Sequence, residues 1–397
     1  MIRHCPSALA GNTVDHFWVV TCYFNPCGYT NRLRNYIVFA RNLRRQGVRL
    51  CTAQLRRSPD EARLPCVPGV DVIDLIESSV LWCKERILQK AIASLPPSCT
   101  QVCWCDCDLL FADPDWARNC AAQLDVYRVV QPFSHVHLLA DGETPGRHAP
   151  RRAAISLAYY LSMRGQNAPM RGRSTPMRGR TTSKASRGAG GAGVGSGGAG
   201  GSMLLGASDV YTGHAGYVWA ARRDVIERMG GLLDLCVIGH ADLAMALAFT
   251  HDPAKDGLVP RVWTGHWRPA WSPALLAAVR AWQVRAASVV QGDVGYVAGT
   301  VFHMWHGPQK ARSYHHRDHL LADFDPALHL APAASGAWRW TPAALAVGLD
   351  QRLEAYFASR QEDSVVAKHP SWRPAHSARC QLPAAVGRSG RPSRFAP

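Results

Sequence analysis

Residues 16–54 read HFWVVTCYFNPCGYTNRLRNYIVFARNLRRQGVRLCTAQ, and this stretch decides the fold class. His16 to Tyr23 is rich in aromatic and β-branched residues, which predicts a first buried strand. From Asn31 to Gln46 the apolar side chains Leu33, Tyr36, Ile37, Ala40 and Leu43 recur at helical spacing with arginines on the other face, and Gly47 ends the pattern. Val48 to Gln54 then reads as a second strand. The order strand, helix, strand predicts an α/β protein with a parallel sheet.

The same alternation continues outward. Val70 to Ile76 predicts a short strand, and Trp82 to Leu95 a helix closed by Pro96 and Pro97. Gln101 to Leu110 (QVCWCDCDLL) predicts a further strand, followed by a turn at Asp113-Pro114, a helix from Asp115 to Leu124, and a strand from Tyr127 to Gln131. Polar residues therefore gather at the end of a buried strand, where open α/β sheets bind their ligands.

Composition narrows the class. With 397 residues, 47% of them apolar, the chain can build a large core without disulfide staples. Its 13 cysteines are scattered from Cys5 to Cys380, and Cys103, Cys105 and Cys107 alternate within one apolar run, as small buried hydrophobes would. A reducing, cytoplasmic location fits this usage. No run of 18 apolar residues predicts a membrane span, which leaves peripheral contact through basic patches. The net charge of +16 is concentrated in two places. Seven basic residues between Arg164 and Arg187, and six after Asp363, face no acid within those segments and leave the body near +3. A nucleic-acid footprint, if any, is confined to these segments.

Residues 161–206 interrupt the α/β pattern. PMRGR is repeated at 169–173 and 176–180, and Gly188 to Gly201 is almost entirely Gly, Ala and Ser, a composition that predicts a disordered Gly/Arg-rich insertion. Order resumes near Ser208, with a strand at Gly216 to Ala221, a helix at Arg223 to Met229, an apolar helix at Asp242 to Phe249, a helix at Pro273 to Ser288, and a strand at Tyr296 to His303. The expected organisation is an N-terminal half (1–160), the insertion (161–206), a second half (207–330), a C-terminal extension (331–363) and a disordered basic tail (364–397).

Three segments can carry chemistry. In Asp106-Cys107-Asp108, period-two geometry puts both carboxylates opposite the cysteines, where Mg²⁺ or Mn²⁺ shared with phosphate oxygens would relieve their repulsion. A water-facing Asp pair at a strand end accounts for the same residues. His303-Met304-Trp305-His306-Gly307 brings two imidazoles to one bend, suited to Mn²⁺ or another borderline metal beside carboxylates. Hydrogen-bonded structural histidines are the bland alternative. Gly239-His240-Ala241-Asp242 places an acid at a helix start, as a cap or as a general base. Lys84 and Arg86, on the helix before the Asp-rich strand, are candidate phosphate contacts or solvated charges, while Trp219 and Trp305 could stack on a sugar or pack in the core.

The phrases carrying these residues fall in a recognisable order: YFNPCGYTNRLRNY (23–36), LWCKERILQKAI (81–92), VCWCDCDLLFADPDW (102–116), VVQPFS (129–134), GHAGYVWAARRDVIERMGGLLD (213–234), IGHAD (238–242), VFHMWHG (301–307) and RSYHHR (312–317). In that order the chain resembles GT-A type glycosyltransferases, particularly glycosyltransferase-like proteins of bacteria and viruses related in their second half to the galactosyltransferase C-terminal region. The resemblance covers roughly residues 17–160 and 207–330. It implies a GT-A-like open, mostly parallel sheet flanked by helices.

The resemblance also implies roles. The family's DxD motif falls on Asp106 and Asp108, with Asp108 as direct metal ligand and Asp106 nearer the donor's ribose or sugar. The metal-binding histidine falls on His303 or His306, and the acceptor-activating acid on Asp242, although the family's richer acidic cluster is here a single Asp. The implied function is transfer of a hexose from a nucleotide sugar to a hydroxyl of a glycan, lipid or protein, with Mn²⁺ or Mg²⁺. The alternatives are a catalytically silent sugar-nucleotide-binding relative and a nucleic-acid-binding protein acting through its Arg/Gly segments.

Overall fold

The computed structural model describes residues 2–4, 14–145, 152–163, 213–250, 270–314 and 316–363. The expected disordered insertion and basic tail lie outside the described residues, apart from the insertion's first three.

The opening unit forms as its pattern dictates. Strand β2 (Phe17–Phe24) is buried along its whole length. Trp18, Val20, Cys22 and Phe24 face one core cluster, while Phe17, Val19 and Tyr23 face the other, the double burial expected of a central parallel strand. Helix α1 (Thr30–Arg45) buries Tyr36, Phe39, Ala40 and Leu43, an i, i+3, i+4, i+7 stripe, and gives way to Gly47 in the left-handed region at φ 73°. Strand β3 (Leu50–Arg56) pairs parallel with β2, and β4 (Val70–Ile76) parallel with β3. The edge strand β1 (Ile2–His4) runs antiparallel to β4.

On the other side of β2 lies β5 (Gln101–Cys105), again parallel. Next comes β10 (Val218–Arg222), antiparallel to both β5 and β7 (Val129–Gln131), and β11 (Val294–Tyr296) closes the sheet parallel to β7. The full order is β1-β4-β3-β2-β5-β10-β7-β11. A strand from after the insertion thus sits between two from before it, so both halves share one sheet. Helices α2 (Lys84–Ser94), α3 (Trp116–Leu124), α4 (Leu157–Met163), α5 (Arg223–Arg228), α6 (Ala241–Thr250) and α7 (Pro273–Val290) accompany the strands. The expected α/β class, a large mostly parallel sheet flanked by helices, is what forms.

Two expected strands are each broken in two. The run from Gln101 leaves the large sheet at Cys105, turns through Asp106–Asp108 and resumes as β6 (Leu109–Phe111). The run from Tyr296 divides into β11 and β12 (Thr300–His303). Both second pieces join a smaller sheet of order β6-β12-β8-β9, with β8 at His135–Leu138 and β9 at Ala153–Ile155. The two sheets therefore part at the Asp-Cys-Asp turn. A third, two-stranded ribbon pairs β13 (Leu330–Pro332) with β14 (Trp338–Trp340), and helix α8 (Leu349–Ser359) follows it.

Cys103, Cys105 and Cys107 are free thiols buried in one cluster, opposite Trp104, as their alternation predicts. Ten cysteines are free among the described residues, whereas Cys66 is disulfide-bonded. No helix among the described residues is long and apolar enough to cross a membrane.

Candidate metal centre

Strand register, rather than sequence proximity, assembles the site. β12 runs antiparallel to β6 with His303 opposite Leu109, and the Met304 N–H donates to the Asp108 carbonyl at 2.9 Å. Asp108 and His303 are thereby brought side by side. Three residues on, before Gly307 (φ 108°), His306 turns back onto the same point. The Nε2 atoms of His303 and His306 lie 2.8 Å apart, Asp108 Oδ2 is 3.4 Å from His306 Nε2, and Asp108 Oδ1 is 3.7 Å from His303 Nε2.

These separations suit a divalent cation. Bonds of about 2.0–2.3 Å put neighbouring ligand atoms roughly 3 Å apart, and all three donors here fall within 4.8 Å of one another. Asp108 Oδ1 is buried and accepts no hydrogen bond. Burial holds the His303 pKa down at about 4, against the pull of Asp108. His303 is consequently a neutral imidazole at pH 7, the form that ligates a metal and does not itself neutralise a carboxylate. One carboxylate and two imidazoles suit Mn²⁺ or a similar borderline ion.

Beside the triad, one lysine gathers three acids. Lys84, in the first turn of α2, donates to Asp106 Oδ1 at 2.6 Å and lies 4.0 Å from Glu85 Oε1. Burial disfavours its ammonium, but Asp106, Glu85 and Asp242 win and hold it protonated, its pKa well above the ordinary lysine range. Burial pushes Glu85 the other way, up to about 8, with Lys84 only partly compensating. Asp242 occupies the first turn of α6, where Oδ1 accepts from the Leu243 N–H at 2.9 Å. Burial opposes its ionisation, yet Lys84, His240 and His214 outweigh that cost and keep its carboxyl below the ordinary range.

Gly216 packs directly against Asp242. A Cβ there would lie 2.5 Å from Asp242 Oδ2, so the missing side chain is what lets that carboxylate approach the backbone. Its N–H donates to His214 Nδ1 at 3.0 Å, and the His214 ring stacks on Tyr217 at 3.9 Å. Tyr217 in turn lies 4.8 Å from the His303 ring. Burial holds the His214 pKa down at about 4. Sequence reasoning passed over Gly216, Tyr217 and Glu85. The GHAGY phrase at 213–217 held two of them, but nothing in it marks them as neighbours of Asp242 and His303.

Other candidates are placed elsewhere. The Arg86 guanidinium lies over the Trp338 ring at 4.3 Å, donating to the Gly336 carbonyl and pairing with Asp234 at 3.3 Å. Trp219 is 1% exposed, packs edge-on against Phe249, and donates its indole N–H to the Ala215 carbonyl. It offers no face to a sugar. Trp305 is half-buried, and its carbonyl accepts from the Asn31 and Asn35 side chains at 2.7 and 2.8 Å. His240 (φ 71°) pairs with buried Asp318 at 2.8 Å.

No known family model and no curated protein matches the sequence. Among solved structures, the chain is similar to Staphylococcus aureus TarS 1–349 at 12% identity, covering 58% of this chain and 54% of that one with a TM-score of 0.30. It is also similar to the catalytic domain of Drosophila β1,4-galactosyltransferase 7 in complex with xylobiose, at 12% identity over 58% and 60% of the two chains with a TM-score of 0.24. Mycobacterium tuberculosis H37Rv Rv0371C in complex with manganese aligns at 16% identity over 32% and 65%, with a TM-score of 0.22. The chain spans only about half of the TarS chain. At such scores the likeness carries no conclusion about chemistry.

Proposed function

We propose that the chain is a metal-dependent glycosyltransferase that moves a hexose from a nucleotide sugar to an acceptor hydroxyl. The observation that carries this reading is the convergence of Asp108, His303 and His306 at the turn where the two sheets part, with Asp106, Lys84 and Asp242 alongside. The motif order resembling GT-A glycosyltransferases supports the same reading.

In this reading Asp108, His303 and His306 hold Mn²⁺ or Mg²⁺, which when bound would neutralise charge on the donor's diphosphate. Asp106, steered by Lys84, lies toward the donor's ribose or sugar. Asp242 is kept ionised by Lys84 and accepts the proton of the acceptor hydroxyl as its oxygen bonds to the anomeric carbon and the nucleoside diphosphate departs. Lys84 is thus assigned to orienting the two aspartates rather than gripping phosphate.

A panel of nucleotide sugars incubated with the purified chain and Mn²⁺ tests this, with chelator and Asp108→Asn as controls. Transfer or donor hydrolysis that disappears with either control is the expected result. Nucleotide-sugar binding without turnover would favour a catalytically silent relative, and turnover indifferent to Asp108→Asn would dismiss the assigned centre.

A further inference from the structure

The last described residues of the chain return to the start of the first helix. Phe357 of α8 packs edge-on against Phe24 of β2, with ring centroids 5.7 Å apart, and beside Trp82 at 6.3 Å. The Tyr29 hydroxyl, just ahead of α1, donates to the Phe357 and Ala358 carbonyls, each at 3.0 Å. From this anchor the segment 360–363 runs across the histidine loop. At Gly307 a Cβ would sit 3.1 Å from the Arg360 and Gln361 carbonyl oxygens, so the loop's glycine lies where this strap presses closest.

Glu362 is fully buried. Arg32 donates to both its carboxylate oxygens at 2.9 and 3.2 Å, Arg360 Nε lies 2.6 Å from Oε1, and Arg312 approaches Oε1 at 3.5 Å. Burial opposes this carboxylate, but the three guanidiniums prevail and hold its pKa below the ordinary range. The same Arg312 nitrogen donates to the His306 carbonyl at 2.9 Å. The adjoining Trp305 carbonyl is held by Asn31 and Asn35, and the Asn31 N–H donates to Asp363 on the strap at 3.0 Å. The backbone at one candidate ligand is therefore gripped twice, and each grip is tied to the strap.

We infer that Glu362 is a positioning residue for the candidate metal centre: the C-terminal strap, through Glu362 and Arg312, sets the Trp305–Gly307 backbone so that His306 meets Asp108 and His303. This deepens the reading of those three residues as a metal site and rests on it. A ligating imidazole must be held within a fraction of an ångström, and groups supporting ligands typically matter about 10- to 100-fold in metal affinity. Buried Glu362 would otherwise be an expensive way to join two loops, since a well-packed apolar contact serves a purely structural joint as well.

The test is Mn²⁺ binding to the full chain, by calorimetric titration and by the Mn²⁺ electron paramagnetic resonance spectrum. Wild type should bind and Asp108→Asn should not. Glu362→Gln should bind about tenfold or more weakly, with an altered spectrum. Arg312→Lys keeps the charge but not the reach of the guanidinium nitrogen that meets both Glu362 Oε1 and the His306 carbonyl, and should fall between the wild type and Glu362→Gln. A folded Glu362→Gln protein with wild-type affinity and spectrum overturns the inference while leaving the metal centre standing. If Glu362→Gln does not fold, Arg312→Lys decides, and unchanged affinity there has the same force. A wild-type chain that takes up no Mn²⁺ removes the metal centre itself, and this role with it.

Discussion

Asp108 Oδ2 lies 3.4 Å from Nε2 of His306, although the two residues belong to different sheet connections and are almost 200 positions apart in the chain. His303 beside them is neutral, and Asp108 Oδ1 is buried and accepts no hydrogen bond, which is what the proposed metal site requires of its ligands. His303→Ala and His306→Ala should therefore each weaken Mn²⁺ binding about tenfold or more while the fold survives. Calorimetric titration beside a thermal melt would check both; equal affinity in either variant would strike that histidine from the ligand set.

Gly216 has a specific consequence for Asp242. Adding a methyl group places a carbon 2.5 Å from Asp242 Oδ2, and the carboxylate, as the mobile partner, must swing away. If Asp242 is the proposed proton acceptor, Gly216→Ala should retain the fold and lose at least about tenfold in turnover, because that carboxylate is misplaced. Gly299→Ala is the control, since nothing lies within 4 Å of a Cβ there. Similar rates for the two variants would argue that Asp242 is only a residue of the helix start.

Glu85 gives the native state a pH signature. Its pKa is about 4.5 in the unfolded chain and is pushed by burial to about 8 in the folded one. The native state thus retains a proton that the unfolded state releases, so this group favours folding fully below about pH 4.5 and progressively less as pH rises to about 8. Glu85→Gln should flatten the fall in melting temperature between pH 5 and roughly 8. Parallel melting curves of wild type and variant across that range would count against the buried, protonated glutamic acid.

The sheet was legible because its strands obey simple patterns. Trp18, Val20 and Cys22 alternate with Phe17, Val19 and Tyr23, and Tyr36, Phe39, Ala40 and Leu43 mark a helix stripe. The candidate residues Asp106, Asp108, His303, His306 and Asp242 were visible as residue types, but their meeting was not. It depends on the chain breaking at Asp106 and on His303 pairing opposite Leu109, a register that no local pattern encodes. Lys84 and Arg86 show a different limit: residues two apart on a helix point to different sides, so α2 could aim only one at the aspartates. Glu362 reaches Arg32 across 330 residues and left no sequence signal at all.

Lys84 allows a sharp separation between a site residue and an ordinary helix charge. Its side chain is 14% exposed and its ammonium stands among Asp106, Glu85 and Asp242. Burial pushes the Asp106 carboxyl up even with Lys84 beside it, and Lys84 leads the groups that hold Asp242 below the ordinary range; Lys84→Met takes away the cation opposing burial at both, which should cost about 3–5 kcal/mol of stability, against less than about 0.5 kcal/mol for a solvated surface lysine. The loss should be partly recovered by Asp106→Asn in the same chain, since that change removes the buried acid that Lys84 contacts, and such coupling is the mark of direct contact. Urea unfolding of the two single variants and the double variant supplies the cycle. Additive effects would mean that the 2.6 Å contact between Lys84 and Asp106 contributes nothing, and that Asp106 and Asp242 are held by something other than this lysine.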